Sequence, residues 1–172
     1  MADDPLAVGD AVPDVAGHLV YPDDADTRSD PVPIADLYAD RPVLLNFYTA
    51  DFSPDCMTEW CSFRDLEWFT VEDKVRVVGA SSSGAGLHRR FIDYLDLQFP
   101  LYSDGDLEMA DAFGVKYRAF GVSSRAMRSC FLIDGDGIVR YRWLADHWLD
   151  PTRDVPPVDE IYEDVANALD DE

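Results

Sequence analysis

One junction constrains this chain more than any other feature. Val43-Leu44-Leu45-Asn46-Phe47-Tyr48 is a short, mostly apolar run behind Pro42, which reads as a buried strand. Thr49-Ala50-Asp51-Phe52-Ser53-Pro54-Asp55-Cys56 then turns the chain into a helix that carries a second cysteine, Cys61. Ser53 can cap that helix, and Pro54 suits its first turn because the missing N–H costs nothing there. Cys56 therefore falls among the first free backbone N–H groups, where those donors and the positive end of the helix dipole favour a thiolate. Asp55 works against this with its own negative charge. A cysteine simply buried at a helix start is the blander alternative; the cap, the proline and the spacing together favour a reactive one.

Elsewhere strands and helices alternate. Residues 33–38 read as one helical turn before the strand. The helix after Cys56 carries Met57, Trp60, Cys61, Phe63, Leu66, Trp68 and Phe69 and is mostly buried. Val75 to Ala80 is the next strand, followed by a serine and glycine loop from Ser81 to Gly86 that lacks the lysine and spacing of a phosphate cradle. Leu87, Phe91, Tyr94 and Leu95 recur at helical spacing, which sends His88, Arg89 and Arg90 toward solvent. Residues 99–104 read as a short strand and turn, and residues 107–113 as a short helix stopped by Gly114. Cys130 opens an apolar strand and reads as core. That strand and the one from Ile138 to Trp143 flank Asp134-Gly135-Asp136-Gly137, a strong hairpin signal; no glutamate follows at the distance a calcium loop requires. Residues 21–31 are polar and turn-rich, a surface loop. After Pro156-Pro157 a last helix, 158–169, lines Val158, Ile161, Tyr162, Val165 and Leu169 along one face.

The 172 residues suit one domain, 1–172. Acidic residues number 35 against 14 basic ones, for a net charge of −21, and they are spread from Asp3 to Asp171. Lysine occurs only at Lys74 and Lys116. This pattern resembles proteins of salt-accumulating halophiles, in which molar salt screens a carboxylate-covered surface. It disfavours nucleic acid and anionic membranes as partners. Met1-Ala2-Asp3-Asp4-Pro5 has neither a basic nor an apolar region, and no stretch has the length to span a bilayer, so a cytoplasmic protein is expected. Three cysteines in a reducing compartment point to redox or catalytic use of some of them.

At the residues around Cys56 the chain resembles the peroxiredoxins of the AhpC/TSA type, most closely the bacterioferritin-comigratory-protein group of thioredoxin-dependent thiol peroxidases. The resemblance runs from about Val8 to Trp143 and is most specific over Phe47-Tyr48, Asp51-Phe52-Ser53-Pro54-Asp55-Cys56 and Thr58-Glu59-Trp60-Cys61-Ser62-Phe63-Arg64-Asp65. It implies an α/β, thioredoxin-like fold with an N-terminal peroxiredoxin extension and a central mixed sheet flanked by helices. It also implies that Cys56 attacks the peroxide, that Ser53 holds the substrate, and that an arginine from a later strand supports both. Arg128, two residues before Cys130, stands where that arginine falls, with Arg125 as the second candidate. Glu59 is a candidate to orient this network. Thr49, seven positions before Cys56, replaces a proline that shields the thiolate in the family, which bears on peroxidatic efficiency.

Cys61, five positions after Cys56, matches the spacing of a resolving cysteine in one branch of the family. In one unbroken helix their Cα atoms would lie about 8.7 Å apart with side chains about 140° apart around the axis. That exceeds a disulfide's span, so pairing requires the first turns to unwind. The implied partners are a peroxide and a thioredoxin-like reductant, with no cofactor or metal, in a monomer or homodimer. Two other functions use the same residues. A thiol–disulfide oxidoreductase would employ both cysteines, although CxxC spacing is absent, and a non-catalytic thioredoxin-fold module would account for the lost loop proline. His18, His88 and His147 have no zinc-ligand spacing with the cysteines and read as surface residues; His147 is the one candidate base for a cysteine hydrolase.

Overall fold

Strand β3, Val43–Phe47, is buried along its whole length. A strand covered on both faces reads as a continuous apolar run and sends alternate side chains to two different cores. In the computed structural model, which describes residues 5–22, 31–48, 57–58, 60–61, 75–119, 123–145 and 158–170, this is what β3 does. Leu44, with Tyr48 just beyond the strand, joins the core that holds Trp60, Phe91, Leu132 and Ile161. Val43, Leu45 and Phe47 join the core that holds Ile34, Met109, Phe113 and Phe131.

Around β3 lie β1 (Ala16–Val20), β2 (Val32–Pro33), β4 (Arg76–Ser81), β5 (Leu101–Ser103), β8 (Ser129–Ile133) and β9 (Val139–Leu144). They form a seven-stranded sheet in the order β2-β1-β5-β4-β3-β8-β9. β3, β4 and β5 run parallel, and β8, β9, β1 and β2 are added antiparallel, so the sheet is mixed. Helix α1 (Ile34–Tyr38) and α4 (Glu108–Ala112) contribute to one core. The helical residues Met57, Thr58, Trp60 and Cys61 (α2), α3 (Ala85–Leu95) and α5 (Val158–Asp170) lie on the other. The extended segment before β1 forms a bridge from Ala11 to Ile138, just ahead of β9.

The Asp134 turn forms as its sequence predicts. Its Oδ1 accepts the N–H groups of Asp136 and Ile138, and its Oδ2 accepts from Arg140. Burial works to raise the pKa of this carboxyl, but those donors outweigh it and hold it below the ordinary carboxylate value.

Two features differ from the sequence reading. Helix α3 starts at Ala85 and is rotated from the expected face: Leu87 and Tyr94 are 39% and 68% exposed, and His88 is fully buried beside Phe91, Ile92 and Leu95. The buried stripe thus keeps Phe91 and Leu95 but takes a histidine as its first member, because both ring nitrogens of His88 find partners inside. Second, Gly114 to Arg128, given no element from sequence, contains a hairpin separate from the main sheet. It comprises β6 (Lys116–Ala119) and β7 (Ser123–Ala126), with Tyr117 opposite Arg125 and Lys116 opposite Ala126. Cation-rich strands with little apolar alternation hide the period-2 signal there.

Candidate active site

The C-terminal end of β3 is built to receive the helix that follows Cys56. Tyr48 continues the parallel ladder, its N–H bonding to the Ala80 carbonyl at 3.0 Å. Trp60, fully buried, meets the Tyr48 ring edge-on at 5.4 Å and 73°, and lies 5.9 Å from Phe99. Its indole rests on β4 at Gly79, where a Cβ would collide with two indole carbons and come within 2.7 Å of Leu101. Only a glycine leaves room for so close an approach of ring to strand. Gly79 and Trp60 thereby fix how deep the start of α2 sits on the sheet.

Beneath Tyr48 lies His88. Its Nε2 stands 2.9 Å from the Tyr102 carbonyl, which can only accept, so in the neutral ring Nε2 carries the proton. Nδ1 is then left to accept from the Tyr48 hydroxyl in a long contact of 3.4 Å. Phe91 stacks on Tyr48 at 6.3 Å. Strand end, α2 and α3 therefore meet on one tyrosine. The sequence reading has Tyr48 only as the end of an apolar run within the family resemblance and His88 only as a surface residue; the apolar run hides the role of the first and the helical spacing displaces the second.

Arg128 occupies the other side of β3. Phe47 pairs with Ser129 and Leu144 pairs with Ser129 across β8, so Arg128 lies opposite Tyr48, and its carbonyl accepts the Ala145 N–H at 3.0 Å. Alternation along β8 puts Arg128 on the side of Cys130 and Leu132, in the core that contains Trp60 and Tyr48. Its side chain is 1% exposed. A guanidinium so deeply placed costs several kcal/mol unless anions or acceptors surround it. One layer further in, the Cys130 thiol donates to Oδ1 of buried Asn46, and the Asn46 amide donates to the Leu44 carbonyl. Cys130 is thus core, as its strand suggests.

Of the residues singled out from sequence, Thr49, Ser53, Cys56, Glu59 and His147 lie outside the described residues, as do most of the loop 21–31 and the part of the helix beyond Cys61. Cys61 is helical and half-buried, against the core that holds Trp60. Arg125 lies in β7, on the same hairpin face as Tyr117 and half-buried, whereas Arg128 alone of the two arginines enters the core. His18 and His88 are not surface residues: His18 is half-buried in β1, and His88 is fully buried for the reason given above.

A mixed sheet whose central parallel strand runs out under a cysteine-bearing helix, with a buried arginine on the neighbouring antiparallel strand, defines a thioredoxin-fold redox protein. The sequence profile of the AhpC/TSA family matches residues 8–142. Peroxiredoxin Bcp of Bacillus subtilis is 33% identical over 109 residues, 62% of this chain and 69% of that protein. Among solved structures, peroxidoxin BcpB from Mycobacterium tuberculosis superimposes with a TM-score of 0.74 at 26% identity over 97% of both chains. A cysteine-to-serine mutant of PrxQ from Xylella fastidiosa gives 0.76 at 23% identity, covering 96% of this chain and 98% of that one. The chain belongs to the AhpC/TSA family, and it is an oxidoreductase of the peroxiredoxin class, a thiol peroxidase.

Proposed function

We propose that Cys56 is the peroxide-attacking thiol and Cys61 the resolving one. The buried Arg128, opposite the strand end that leads into Cys56, is the observation that carries this reading. The Cys56 thiolate attacks one peroxide oxygen; the S–O bond forms, the O–O bond breaks, and the departing alkoxide or hydroxide takes a proton. Arg128 and the Ser53 hydroxyl hold the peroxide and offset the charge that builds on the leaving oxygen. Glu59 orients this network, and Thr49 stands at the loop position nearest Tyr48. The Cys61 thiolate then attacks the sulfenic sulfur, the S–S bond forms as the S–O bond breaks, and the departing hydroxide takes a proton and leaves as water. A dithiol protein of the thioredoxin type returns two electrons and restores both thiols.

The protein acts in a reducing, cytoplasmic compartment as a monomer or homodimer, on hydrogen peroxide or organic hydroperoxides, with neither nucleic acid nor membrane as a partner. Among the described residues no helix is long and apolar enough to cross a membrane.

The test is a mass time course of the fully reduced protein given one equivalent of hydrogen peroxide in molar potassium chloride. Rapid loss of two hydrogens, abolished by Cys56→Ser, is the expected result. Gain of one oxygen without that loss would remove Cys61 from the mechanism. A protein that stays unmodified over many minutes would overturn the role given to Cys56.

A further inference from the structure

One row in from the buried Arg128, a polar pair stands where packing calls for apolar side chains. β3 and β8 are buried along their whole lengths, and Asn46 interrupts the apolar run of β3. Its side chain is fully buried, on the same face as Leu44 and Tyr48. Across the sheet its row reads Leu101, Gly79, Asn46, Cys130 and Trp143. Gly79 offers no side chain, and the Trp60 indole fills the space above it, so Asn46 pairs on its other side, with Cys130. The Leu44 carbonyl, 3.4 Å from Asn46 Nδ2, can only accept; this turns Oδ1 toward the Cys130 sulfur and makes the thiol the donor.

Stability does not account for this pair, because a buried hydrogen-bonded pair replaced on both sides by apolar groups of similar shape loses little or nothing. Register does account for it. A strand with one buried face is held in register because a one-residue slip carries its apolar set to the solvent side. Here both strands are buried on both faces, so apolar burial ranks neighbouring registers closely. In the observed register Asn46 meets Cys130, and the next row on the same face brings Arg128 opposite Tyr48. Sliding β8 by two residues keeps every face as it is, but sets Asn46 against Leu132 or against Arg128 itself and takes the acceptor from the Cys130 thiol. The same slip carries the guanidinium about 6.6 Å along β3. A misplacement of about 1 Å is already enough to cost a reaction about 100-fold.

We infer that the Asn46–Cys130 hydrogen bond pins β8 against β3 and is a positioning pair for Arg128, setting where the guanidinium of the proposed peroxide site stands. Neither residue touches the peroxide. This rests on the roles given above to Cys56 and Arg128 and adds to them the device that fixes their geometry.

The test replaces both partners at once, Asn46→Val with Cys130→Ala, which keeps the summed side-chain volume close to that of the pair and leaves neither partner unpaired. In molar potassium chloride the denaturation midpoint of this double variant is expected to be no lower than that of wild type, while kcat/KM for hydrogen peroxide falls by at least about tenfold. The acid limb of its pH profile should move to higher pH, because a thiol that loses a nearby cation holds its proton longer. Cys130→Ser, whose hydroxyl still donates to Asn46, should keep the wild-type rate and profile, and Cys130→Ala alone should not. A stable double variant with wild-type kcat/KM and pH profile would overturn the inference. So would equal rates in Cys130→Ser and Cys130→Ala, the comparison that decides if the double variant does not fold. Arg128→Gln separates the two levels: if it leaves kcat/KM unchanged, the reading of the arginine fails and this one with it; if it abolishes turnover while the double variant keeps it, the pin alone fails.

Discussion

His88 and Gly79 do at the residue scale what no cysteine could do alone: they set where Tyr48 and Trp60 stand. Replacing His88 by leucine keeps the volume but takes one hydrogen-bond partner from the Tyr102 carbonyl and one from the Tyr48 hydroxyl. Each buried group deprived of its partner costs about 1–3 kcal/mol. Denaturant unfolding of His88→Leu should therefore show a lower midpoint with an unchanged m-value; a midpoint equal to wild type would show that His88 is only a space-filler. Gly79→Ala adds one methyl group, yet it meets the indole of Trp60 and the side chain of Leu101. Overpacking of this kind costs about 1–3 kcal/mol. The same displacement should make Trp60 emission redder in the reduced protein. An alanine variant with native fluorescence and stability would contradict the close approach of ring to strand.

At the scale of elements, the start of α2 is held down by Trp60 and must come loose if Cys56 and Cys61 are to bond. Trp60 is fully buried between Tyr48, Phe99 and β4, so its docking favours the reduced, helical state. Weakening that docking shifts the balance toward the disulfide. Trp60→Phe keeps an aromatic ring but loses contact area, on the order of 1–2 kcal/mol, which corresponds to about 20–40 mV for a two-electron couple. A redox titration followed by thiol alkylation should give a potential more negative by that amount. A shift in the opposite direction would mean that Trp60 stabilises the oxidised form, and that the helix does not unwind to form the bond.

Over the whole molecule the dominant quantity is the net charge of −21. Self-repulsion opposes the compact state, and raising the salt from about 0.1 M to 1 M shortens the screening length from about 10 Å to 3 Å. The melting temperature should rise by at least about 5 °C over that range in potassium chloride; a flat or falling curve would show that the carboxylates are already paired. The two-core layout follows from the same sequence logic as the strands. β3, β4 and β8 are legible because a strand buried on both faces is mostly apolar, and α5 because its stripe of Ile161 and Val165 is unbroken. The hairpin β6–β7 was not legible, since Lys116, Arg118, Ser124 and Arg125 break any alternation of polar and apolar residues. The buried face of α3 departs from the apolar spacing because a pattern of apolar residues cannot anticipate a histidine whose polar atoms are satisfied inside.

By itself, then, the sequence determined the buried strand β3, the helical segment that carries Trp60 and Cys61, the Asp134 turn and the acidic charge. Each of these depends on neighbours within a few positions: caps, turn residues, periodicity and charge count. Tertiary structure alone decided that Arg128 and not Arg125 is buried, because that depends on β8 pairing with β3 so that Ser129 meets Phe47. It alone decided that His88 turns inward, because the partners that make its burial tolerable, Tyr48 just past β3 and Tyr102 in β5, come from two other elements. Contacts of that kind join residues 14 and 40 positions apart in the chain, and no local pattern encodes them.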